Sequence, residues 1–381
     1  MKDVYIVSAV RTAIGKAKKS LSMTSPVTMG AVVVKEAVAR AGVAPEAVQD
    51  LVIGCAFPEG EQGMNMARII TIAAGLPETV PAMTINRFCS SGLEALVIAA
   101  SKIRAGLIDV AVTGGVESMS LIPMSGVKFA PDPAMTVEHP EVYISMGNCG
   151  DNVARDFGIS RKECDEWAFG SVTKALAAID AGKFKSQIVP IEVMKGVMFD
   201  TDEGPRRDTT LEGLAALKPA FSGPGMKGIC TAGNSSQMSD GASAVCLMSE
   251  DAMKASGAKP LAKFLGYNVA ADTPKYLGPA QVVAIKKACE LSGIDVASVG
   301  LFENNEAFAS QCLYVMRELG IDPAKVNVNG GAIALGHPLG CTGSKLTTQV
   351  IHEMKERNQK YGIVTMCIGG GMGAAGVFEL C

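Results

Sequence analysis

The chain has 381 residues, of which 48% are hydrophobic and 19% charged, and its formal net charge is -3. This length exceeds that of a usual single hydrophobic core, so we expect two or more packed units. The small net charge, without a long run of one sign, argues against a nucleic-acid partner and a polybasic membrane anchor. No apolar stretch reaches the length that crosses a bilayer, and the opening MKDVYIVSAVRT reads as a buried strand rather than a signal peptide.

The 11 cysteines are scattered along the chain, and no pair has the spacing of a zinc site. An odd number without a disulfide-like pattern favours reduced thiols, and therefore a cytoplasmic protein without a bound metal. Most of these cysteines are expected to be small core residues.

An internal duplication organises the chain. The segment AVVVKEAVARAGVAPEAVQDLVIG matches QVVAIKKACELSGIDVASVGLFEN, and Gly42 pairs with Gly293, 251 positions later. We place further equivalent points at Cys89 and Cys341, where a helix is predicted to begin. A last pair, Gly114 and Gly369, marks the predicted end of a strand in each half.

The repeated alternation of strands and helices predicts an α/β fold with mainly parallel sheets and helices on their faces. We divide the chain into an N-terminal half (1–119), an inserted loop domain (120–244) and a C-terminal half (245–381). The insertion contains MSGVKFAPDPAM, FSGPGMKGIC and a polar helix over residues 161–181. An insertion of this length is expected to cover a site, and a decorative surface excursion is the alternative.

The first candidate for chemistry is Cys89, in NRFCSSGLEALVIAASKIRAG. It lies between a predicted strand, residues 82–86, and an amphipathic helix. Free N–H groups and the dipole at a helix start favour negative charge, so we expect a lowered thiol pKa and a nucleophilic thiolate. A structural cysteine is the alternative on position alone.

The second candidate is His337, in GGAIALGHPLGCTG, a rigid loop lined by glycine. A histidine held there can polarise a thiol or donate to an oxyanion, and a solvated loop histidine is the alternative. The other two histidines, His139 and His352, are expected to have no role in chemistry.

Two further candidates follow predicted strands. Cys367 ends a buried strand in IVTMCIGGGMG, where the N–H groups of the glycine run could bind an oxyanion or a phosphate. Neither GxxxxGK[ST] nor a dinucleotide fingerprint is present. In NNEAFA, Asn305 and Glu306 are predicted to begin a helix after a strand over residues 299–302. Asn305 could position a water or a carbonyl oxygen, or could merely cap that helix.

Together, NRFCSSGL, GNSSQMSDGA, NEAFA, GHPLGCTG and CIGGGMG closely resemble the thiolase family, in the family's order and over the whole chain. The resemblance implies a five-layered α-β-α-β-α fold of two duplicated halves, with a loop domain that binds coenzyme A. It implies an acyltransferase that cleaves or forms 3-ketoacyl-CoA, with CoA as co-substrate and no permanently bound cofactor or metal. It also implies a homodimer or homotetramer.

The resemblance assigns a role to each candidate. Cys89 would be the nucleophile that becomes acylated, His337 would activate it, and Cys367 would move the proton at the alpha carbon of the acetyl unit. A water held by Asn305 would form one oxyanion hole with His337. The N–H groups of Cys89 and Gly369 would form the second.

Other positions bear on the substrate. By the same resemblance, Ser236 and Phe308 would contact the pantetheine arm, and Met146 would line the acyl pocket. The loop region departs from the commonest pattern, because SMGNCGDNVA has Ser145 where several biosynthetic members carry histidine. It also has Cys149 where threonine is usual and aspartate where glutamate is usual.

NRFCSSGL and GNSSQMSDG look more like degradative 3-ketoacyl-CoA thiolases, and a biosynthetic acetoacetyl-CoA thiolase is the alternative. Decarboxylating ketosynthases lack a second catalytic cysteine followed by a glycine run, which this chain has in CIGGG. A non-catalytic acyl-CoA or lipid-binding homologue is the remaining alternative.

Overall fold

The computed structural model describes residues 2–222 and 228–381, so the middle of FSGPGMKGIC lies outside the described residues. The strands are β1 (Val4–Arg11), β2 (Gly15–Lys16), β3 (Leu51–Gly54), β4 (Ala82–Ile85), β5 (Val110–Ser118), β6 (Ile191–Met194), β7 (Val197–Phe199), β8 (Ser239–Ser249), β9 (Ala262–Ala271), β10 (Leu301–Asn304), β11 (Tyr361–Ile368) and β12 (Met372–Leu380). The helices are α1 (Pro26–Ala41), α2 (Met66–Ala73), α3 (Ser91–Arg104), α4 (Pro133–Glu138), α5 (Met146–Asp156), α6 (Arg161–Asp180), α7 (Leu211–Ala215), α8 (Glu250–Ser256), α9 (Pro279–Ser292), α10 (Ala309–Leu319), α11 (Ala332–Leu335) and α12 (Thr342–Arg357).

The main sheet has ten strands in the order β10-β11-β12-β9-β1-β8-β5-β3-β4, with β2 paired to β8 beside this path. β1 and β9 pair at two positions, Tyr5 with Lys263 and Ile6 with Ala262. The sheet therefore divides there into an N-terminal part and a C-terminal part. β6 and β7 form a separate hairpin in the insertion.

The prediction of mainly parallel sheets is wrong. β3 runs parallel to β4 and β5, and β10 runs parallel to β11, in each case across a connection that passes through a helix. The other pairs of the main sheet are antiparallel. β11 and β12 are joined by residues 369–371 alone, where Gly370 and Gly371 have φ of 81° and 76°. Glycine adopts such values without steric cost, so the chain turns back as a hairpin.

The elements stack in five layers, as the resemblance to thiolases implies. α1 and α2 share a hydrophobic cluster with β3, β5 and β8 on one outer face. α3 and α12 lie between the two parts of the sheet and share a cluster with strands of both. α9 packs against β11 and β12 on the other outer face. Consecutive residues Ile363 and Val364 of β11 belong to different clusters, because successive side chains of a strand face opposite layers.

The duplication is visible in the helices of both halves. α1 and α9 end 251 positions apart, and each is followed by a left-handed glycine with φ of 68°, Gly42 and Gly293. α3 and α12 also begin 251 positions apart. The equivalent of Cys89 is therefore Gly340 rather than Cys341, a correction of one residue.

The strand pair proposed at Gly114 and Gly369 also needs correction. β5 continues through Gly114 to Ser118, so the strand-end position that corresponds to Gly369 is Ser118. A Cβ at position 114 would lie 2.2 Å from the carbonyl oxygen of Ser243 in β8. That glycine allows a close approach of two paired strands and does not end one.

The insertion consists mainly of α4 to α7 and the β6–β7 hairpin. The boundary drawn between residues 244 and 245 lies within β8, which pairs with β1 and β5 of the N-terminal part. A buried ion pair fastens the insertion to β1: the guanidinium of Arg11 donates to both carboxylate oxygens of Asp202, at 2.8 and 2.9 Å. In the described part of the chain, we find no helix with the length and apolar character needed to span a bilayer.

Candidate active site

Cys89 lies in a short 3-10 turn, Phe88–Ser90, immediately before α3. The Ser91 side chain holds this turn, because it accepts from the Arg87 N–H at 2.8 Å and donates to the Phe88 carbonyl at 2.7 Å. Phe88 has a φ of 43°, a strained value for a residue other than glycine. The cysteine is thus placed at a helix start, as the sequence predicts.

The prediction that the thiol pKa of Cys89 is lowered is wrong for this structure. The side chain is 9% exposed, and burial raises its pKa to about 12. Hydrogen bonding from the backbone N–H groups of Cys89 and Gly369 lowers the pKa by less than burial raises it. The helix start supplies donors for a thiolate, but the loss of water outweighs them. A base is therefore needed to remove the proton.

His337 is buried beside Asn305. The amide nitrogen Nδ2 of Asn305 lies 3.3 Å from the imidazole Nε2 of His337, and Thr342 Oγ1 lies 2.5 Å from Nδ1. Burial, with a smaller effect of Lys345, lowers the pKa of His337 to about 3. The imidazole is therefore neutral near pH 7, and one of its ring nitrogens carries no hydrogen. The alternative of a solvated loop histidine does not hold, because the side chain is 3% exposed.

Asn305 directly follows β10, and α10 begins four residues later. It is therefore not the residue that caps this helix, which the sequence left as an alternative. Its Oδ1 is buried without a hydrogen-bond partner among the described residues. An unpaired buried acceptor beside an imidazole is consistent with a position for a bound water.

Cys367 is the penultimate residue of β11 and is buried. Its pKa is raised well above the ordinary thiol value by burial first and then by the neighbouring thiols of Cys89 and Cys149. Cys367 and Cys149 share a hydrophobic cluster with Phe308 and Met146. The two predicted catalytic cysteines, one from each half, are thus close enough to interact electrostatically.

The predicted substrate-contacting residues lie around the same place. A Cβ at Gly369 would stand 3.4 Å from the sulfur of Met146 and 3.6 Å from the Phe88 ring. The N–H of Ser236 donates to the carbonyl of Ala307 at 2.9 Å, which places Ser236 beside the segment that carries Asn305 and Phe308. The structure therefore brings Met146 and Phe88 next to Gly369, and Ser236 next to the segment that carries Asn305 and Phe308.

The two remaining histidines are elsewhere. His139 is exposed, where its Nδ1 lies 3.4 Å from a carboxylate oxygen of Glu141. His352 lies on α12, with its Nε2 3.2 Å from the carbonyl of Ala9 in β1.

Two family profiles match the chain: "Thiolase, N-terminal domain" over residues 4–251 and "Thiolase, C-terminal domain" over residues 258–380. The chain belongs to the thiolase family.

This thiolase is similar to several known members along its whole length. It is 53% identical to a 3-ketoacyl-CoA thiolase of Bacillus subtilis, with 100% of each chain covered. It is 45% identical to an acetyl-CoA acetyltransferase of Cupriavidus necator, with 98% of each covered. A crystal structure of the Bacillus anthracis acetyl-CoA acetyltransferase aligns with a TM-score of 0.92 at 41% identity, over 100% of this chain and 99% of that one.

Sequence reasoning missed the buried residues that hold this site of the thiolase in place. The Glu306 carboxylate accepts from Ser171 Oγ at 2.7 Å, Asn327 Nδ2 at 3.0 Å, and the Ile333 N–H and Trp167 Nε1 at 3.1 Å. It connects insertion helix α6 to α11, the short helix that precedes His337. Its place beside Asn305 in NNEAFA was the available signal, but a surface carboxylate at a helix start would look the same.

A second buried carboxylate, Glu117 of β5, was also missed. It accepts from the N–H of Gly340 at 2.7 Å and the N–H of Ala56 at 2.8 Å, and from Gln62 Nε2 at 2.8 Å. It binds the turn before α12 to the segment that follows β3. No local pattern marks it, because its partners come from distant parts of the chain.

Proposed function

We propose that this thiolase is a 3-ketoacyl-CoA thiolase, which transfers the acyl group of a 3-ketoacyl-CoA to free CoA and releases acetyl-CoA. The observations that carry the proposal are the nearness of the Cys89 and Cys367 thiols, which raises the pKa of Cys367, and a buried, neutral His337 beside Asn305. This reaction needs a nucleophile, a base for it, and a second group that moves a proton at carbon.

In the first step, Nε2 of His337 takes the proton of the Cys89 thiol. A base is needed because the raised thiol pKa leaves little thiolate beforehand. The thiolate sulfur then bonds to the 3-keto carbon, and the N–H groups of Cys89 and Gly369 donate to its oxygen. The same two N–H groups lower the pKa of Cys89, so they favour negative charge at this place. Such prearranged donors stabilise a developing oxyanion.

The carbon–carbon bond then breaks, and its electrons pass to the acetyl-CoA enolate. His337, with a water held by Asn305, stabilises the enolate oxygen, and the thiol of Cys367 gives its proton to the alpha carbon. Acetyl-CoA then leaves, and CoA enters and loses its thiol proton to Cys367. Its sulfur attacks the thioester on Cys89, which releases the shortened acyl-CoA and the Cys89 thiolate, and His337 returns its proton to that thiolate. Two acyl transfers at one cysteine predict ping-pong kinetics.

The degradative direction, in fatty acid β-oxidation, is favoured by two observations. The relative at 53% identity is named a 3-ketoacyl-CoA thiolase, and those at 45% and 41% are named acetyl-CoA acetyltransferases. The segments NRFCSSGL and GNSSQMSDG point the same way. Biosynthetic condensation of two acetyl-CoA molecules is the second candidate, because the same residues serve the reaction in both directions.

The test follows loss of the 3-keto absorbance when CoA is added to acetoacetyl-CoA and to longer 3-ketoacyl-CoAs. Wild type should be active, with faster thiolysis of the longer substrates. Activity with acetoacetyl-CoA alone would favour the biosynthetic alternative. Inactivity at every chain length would contradict the proposal and favour a non-catalytic acyl-CoA-binding protein.

Two variants separate the roles of the cysteines. Cys89→Ala should abolish both thiolysis and covalent acylation, because the nucleophile is gone. Cys367→Ala should still accept an acyl group from acyl-CoA on Cys89, seen by mass spectrometry, while carbon–carbon cleavage is lost. Normal cleavage by Cys367→Ala would refute this division of labour.

The proposal also covers the location of the protein in the cell, its oligomeric state and its CoA-binding region. We place the protein in the cytoplasm as a homodimer or homotetramer, with residues 120–244 covering the site and binding CoA, and no other cofactor. Exposed apolar residues support self-association, since Met64, Ile69 and Ile72 lie on or beside α2 next to edge strand β4. Light scattering of the purified chain tests the oligomer, and a monomeric mass would contradict it.

A further inference from the structure

The role of His337 as a base depends on which ring nitrogen carries its proton. Burial lowers the pKa of His337 to about 3, so at neutral pH the imidazole has a single proton, on Nδ1 or on Nε2. Only the nitrogen without it can accept the proton of Cys89. The hydrogen bonds made by each nitrogen decide between the two tautomers.

The hydrogen bonds of Thr342 indicate whether Nδ1 carries the hydrogen. Its hydroxyl oxygen lies 2.5 Å from His337 Nδ1 and 3.1 Å from the carbonyl oxygen of Pro338. A carbonyl only accepts, so the single hydroxyl hydrogen points to Pro338. The Thr342 oxygen then accepts from the imidazole, which requires the hydrogen on Nδ1.

The other side of the ring agrees. The amide nitrogen of Asn305, which can only donate, lies 3.3 Å from Nε2 of His337. An Nε2 that carried hydrogen would face another donor there. The Nδ1–H tautomer avoids this contact between two donors and leaves the lone pair on Nε2.

We propose that Thr342 is a positioning residue of the reaction, which holds His337 in the Nδ1–H tautomer and leaves Nε2 as the base for Cys89. This inference rests on the proposed thiolase function. Thr342 suits the task because it is fully buried and is the first residue of α12, in the central layer. One turn later, Lys345 Nζ donates to the carbonyl of Gly336 at 3.0 Å. The start of α12 therefore contacts the histidine loop at two points, the imidazole ring of His337 and the carbonyl of Gly336.

Three variants test the proposal kinetically. Thr342→Val keeps the shape and removes the oxygen, and Thr342→Ser restores an oxygen. Thr347→Val is the matched control, because Thr347 is also buried in α12 but its hydroxyl donates only within the helix, to Gly343 at 2.8 Å. All three are compared with wild type in thiolysis of a 3-ketoacyl-CoA.

The kcat of Thr342→Val should fall roughly 10- to 100-fold, the range seen when partners that orient metal-bound histidines are removed, with little change in KM. Thr342→Ser should recover most of this loss, and Thr347→Val should behave as wild type. A kcat for Thr342→Val equal to that of the Thr347→Val control would overturn the inference. If wild type and the control were themselves inactive, the proposed function would fail instead.

A second measurement reads the tautomer without relying on activity. With 15N-labelled histidine, long-range 1H–15N correlation spectra distinguish a protonated ring nitrogen from a bare one, and the spectrum of His337→Gln identifies the signals of residue 337. Wild type should show protonated Nδ1 and bare Nε2, and Thr342→Val should gain the Nε2–H form. An Nε2–H imidazole in the wild-type protein would overturn the proposal, even if Thr342→Val failed to fold.

Discussion

Gly343 lies so close to Leu93 that a Cβ at position 343 would stand 2.2 Å from the Leu93 backbone nitrogen. Gly343 is in the first turn of α12 and Leu93 in the first turn of α3, so the helices that follow the two catalytic loops touch backbone to backbone. Since one of the atoms is in the backbone, a side-chain rotation cannot relieve the clash.

We expect Gly343→Ala to lower the free energy of unfolding by at least about 1–3 kcal/mol, the usual cost of overpacking a core. The control is Gly170→Ala in α6, where a Cβ would meet nothing within 4 Å. That change should stabilise the protein by up to about 1 kcal/mol, because alanine favours the helix. Urea unfolding of both variants measures the difference. Equal stabilities would mean that the helix contact gives way more easily than its backbone geometry indicates.

A second prediction concerns the reactivity of Cys89. Because its pKa is raised to about 12, its thiolate at neutral pH depends on a neighbouring base. We expect His337→Gln to slow alkylation of Cys89 by iodoacetamide, measured by peptide mass mapping over time. Cys381 is exposed and serves as an internal control whose rate should not change. An unchanged rate at Cys89 would mean that the thiolate forms without His337.

A third prediction concerns the dependence of stability on pH. Folding lowers the pKa of His337 from 6.5 to about 3, so between these values the unfolded chain binds more protons. The contribution of His337 to stability is therefore complete above pH 6.5 and is lost as the pH falls towards 3. In His337→Gln this loss is absent.

The difference in unfolding free energy between wild type and His337→Gln should therefore shrink by about 2 kcal/mol from about pH 6.5 to about pH 5. Urea unfolding at the two pH values provides the measurement. His139→Gln, which changes an exposed side chain, should follow wild type. A difference between wild type and His337→Gln that stayed constant would show that His337 does not titrate below its ordinary range.

A fourth prediction concerns the ion pair between β1 and the insertion. Asp202→Ala leaves the fully buried Arg11 guanidinium without its counter-charge, and breaking such a pair costs about 3–5 kcal/mol. The control, Asp180→Ala, breaks an exposed pair with Arg207 and should cost no more than about 1 kcal/mol. Melting temperatures of both variants give the comparison. A similar small loss in each would indicate that water reaches Arg11 when Asp202 is removed.

The sequence was sufficient for the features that repeat or that carry unusual residue combinations. The match between the segments ending at Gly42 and Gly293 located the two halves, and glycine-rich motifs located Cys89, His337 and Cys367. These signals are local, because a helix end or a tight loop requires particular residues at particular spacings.

The errors concern properties that depend on distant neighbours. The pKa of Cys89 is set by burial under residues from both halves, which a helix-end argument does not include. Gly114 resembles a strand end in sequence, but its glycine serves the close approach of β8. The strand predicted over residues 299–302 begins two residues too early, and the pairing of β10 with β11 shows that Asn305 follows the strand directly.

The contact between Glu117 and Gly340 bears on why a duplicated molecule is not chemically symmetric. Gly340 occupies in the second half the position that Cys89 occupies in the first, just before the start of the equivalent helix. At Gly340, however, the backbone N–H already donates a hydrogen bond to the buried carboxylate of Glu117, at 2.7 Å. The side chain of Glu117 therefore occupies the place beside Gly340 that a substrate oxygen would need. After the duplication, the turn at Cys89 could become a reaction centre, while the equivalent turn at Gly340 took a structural role.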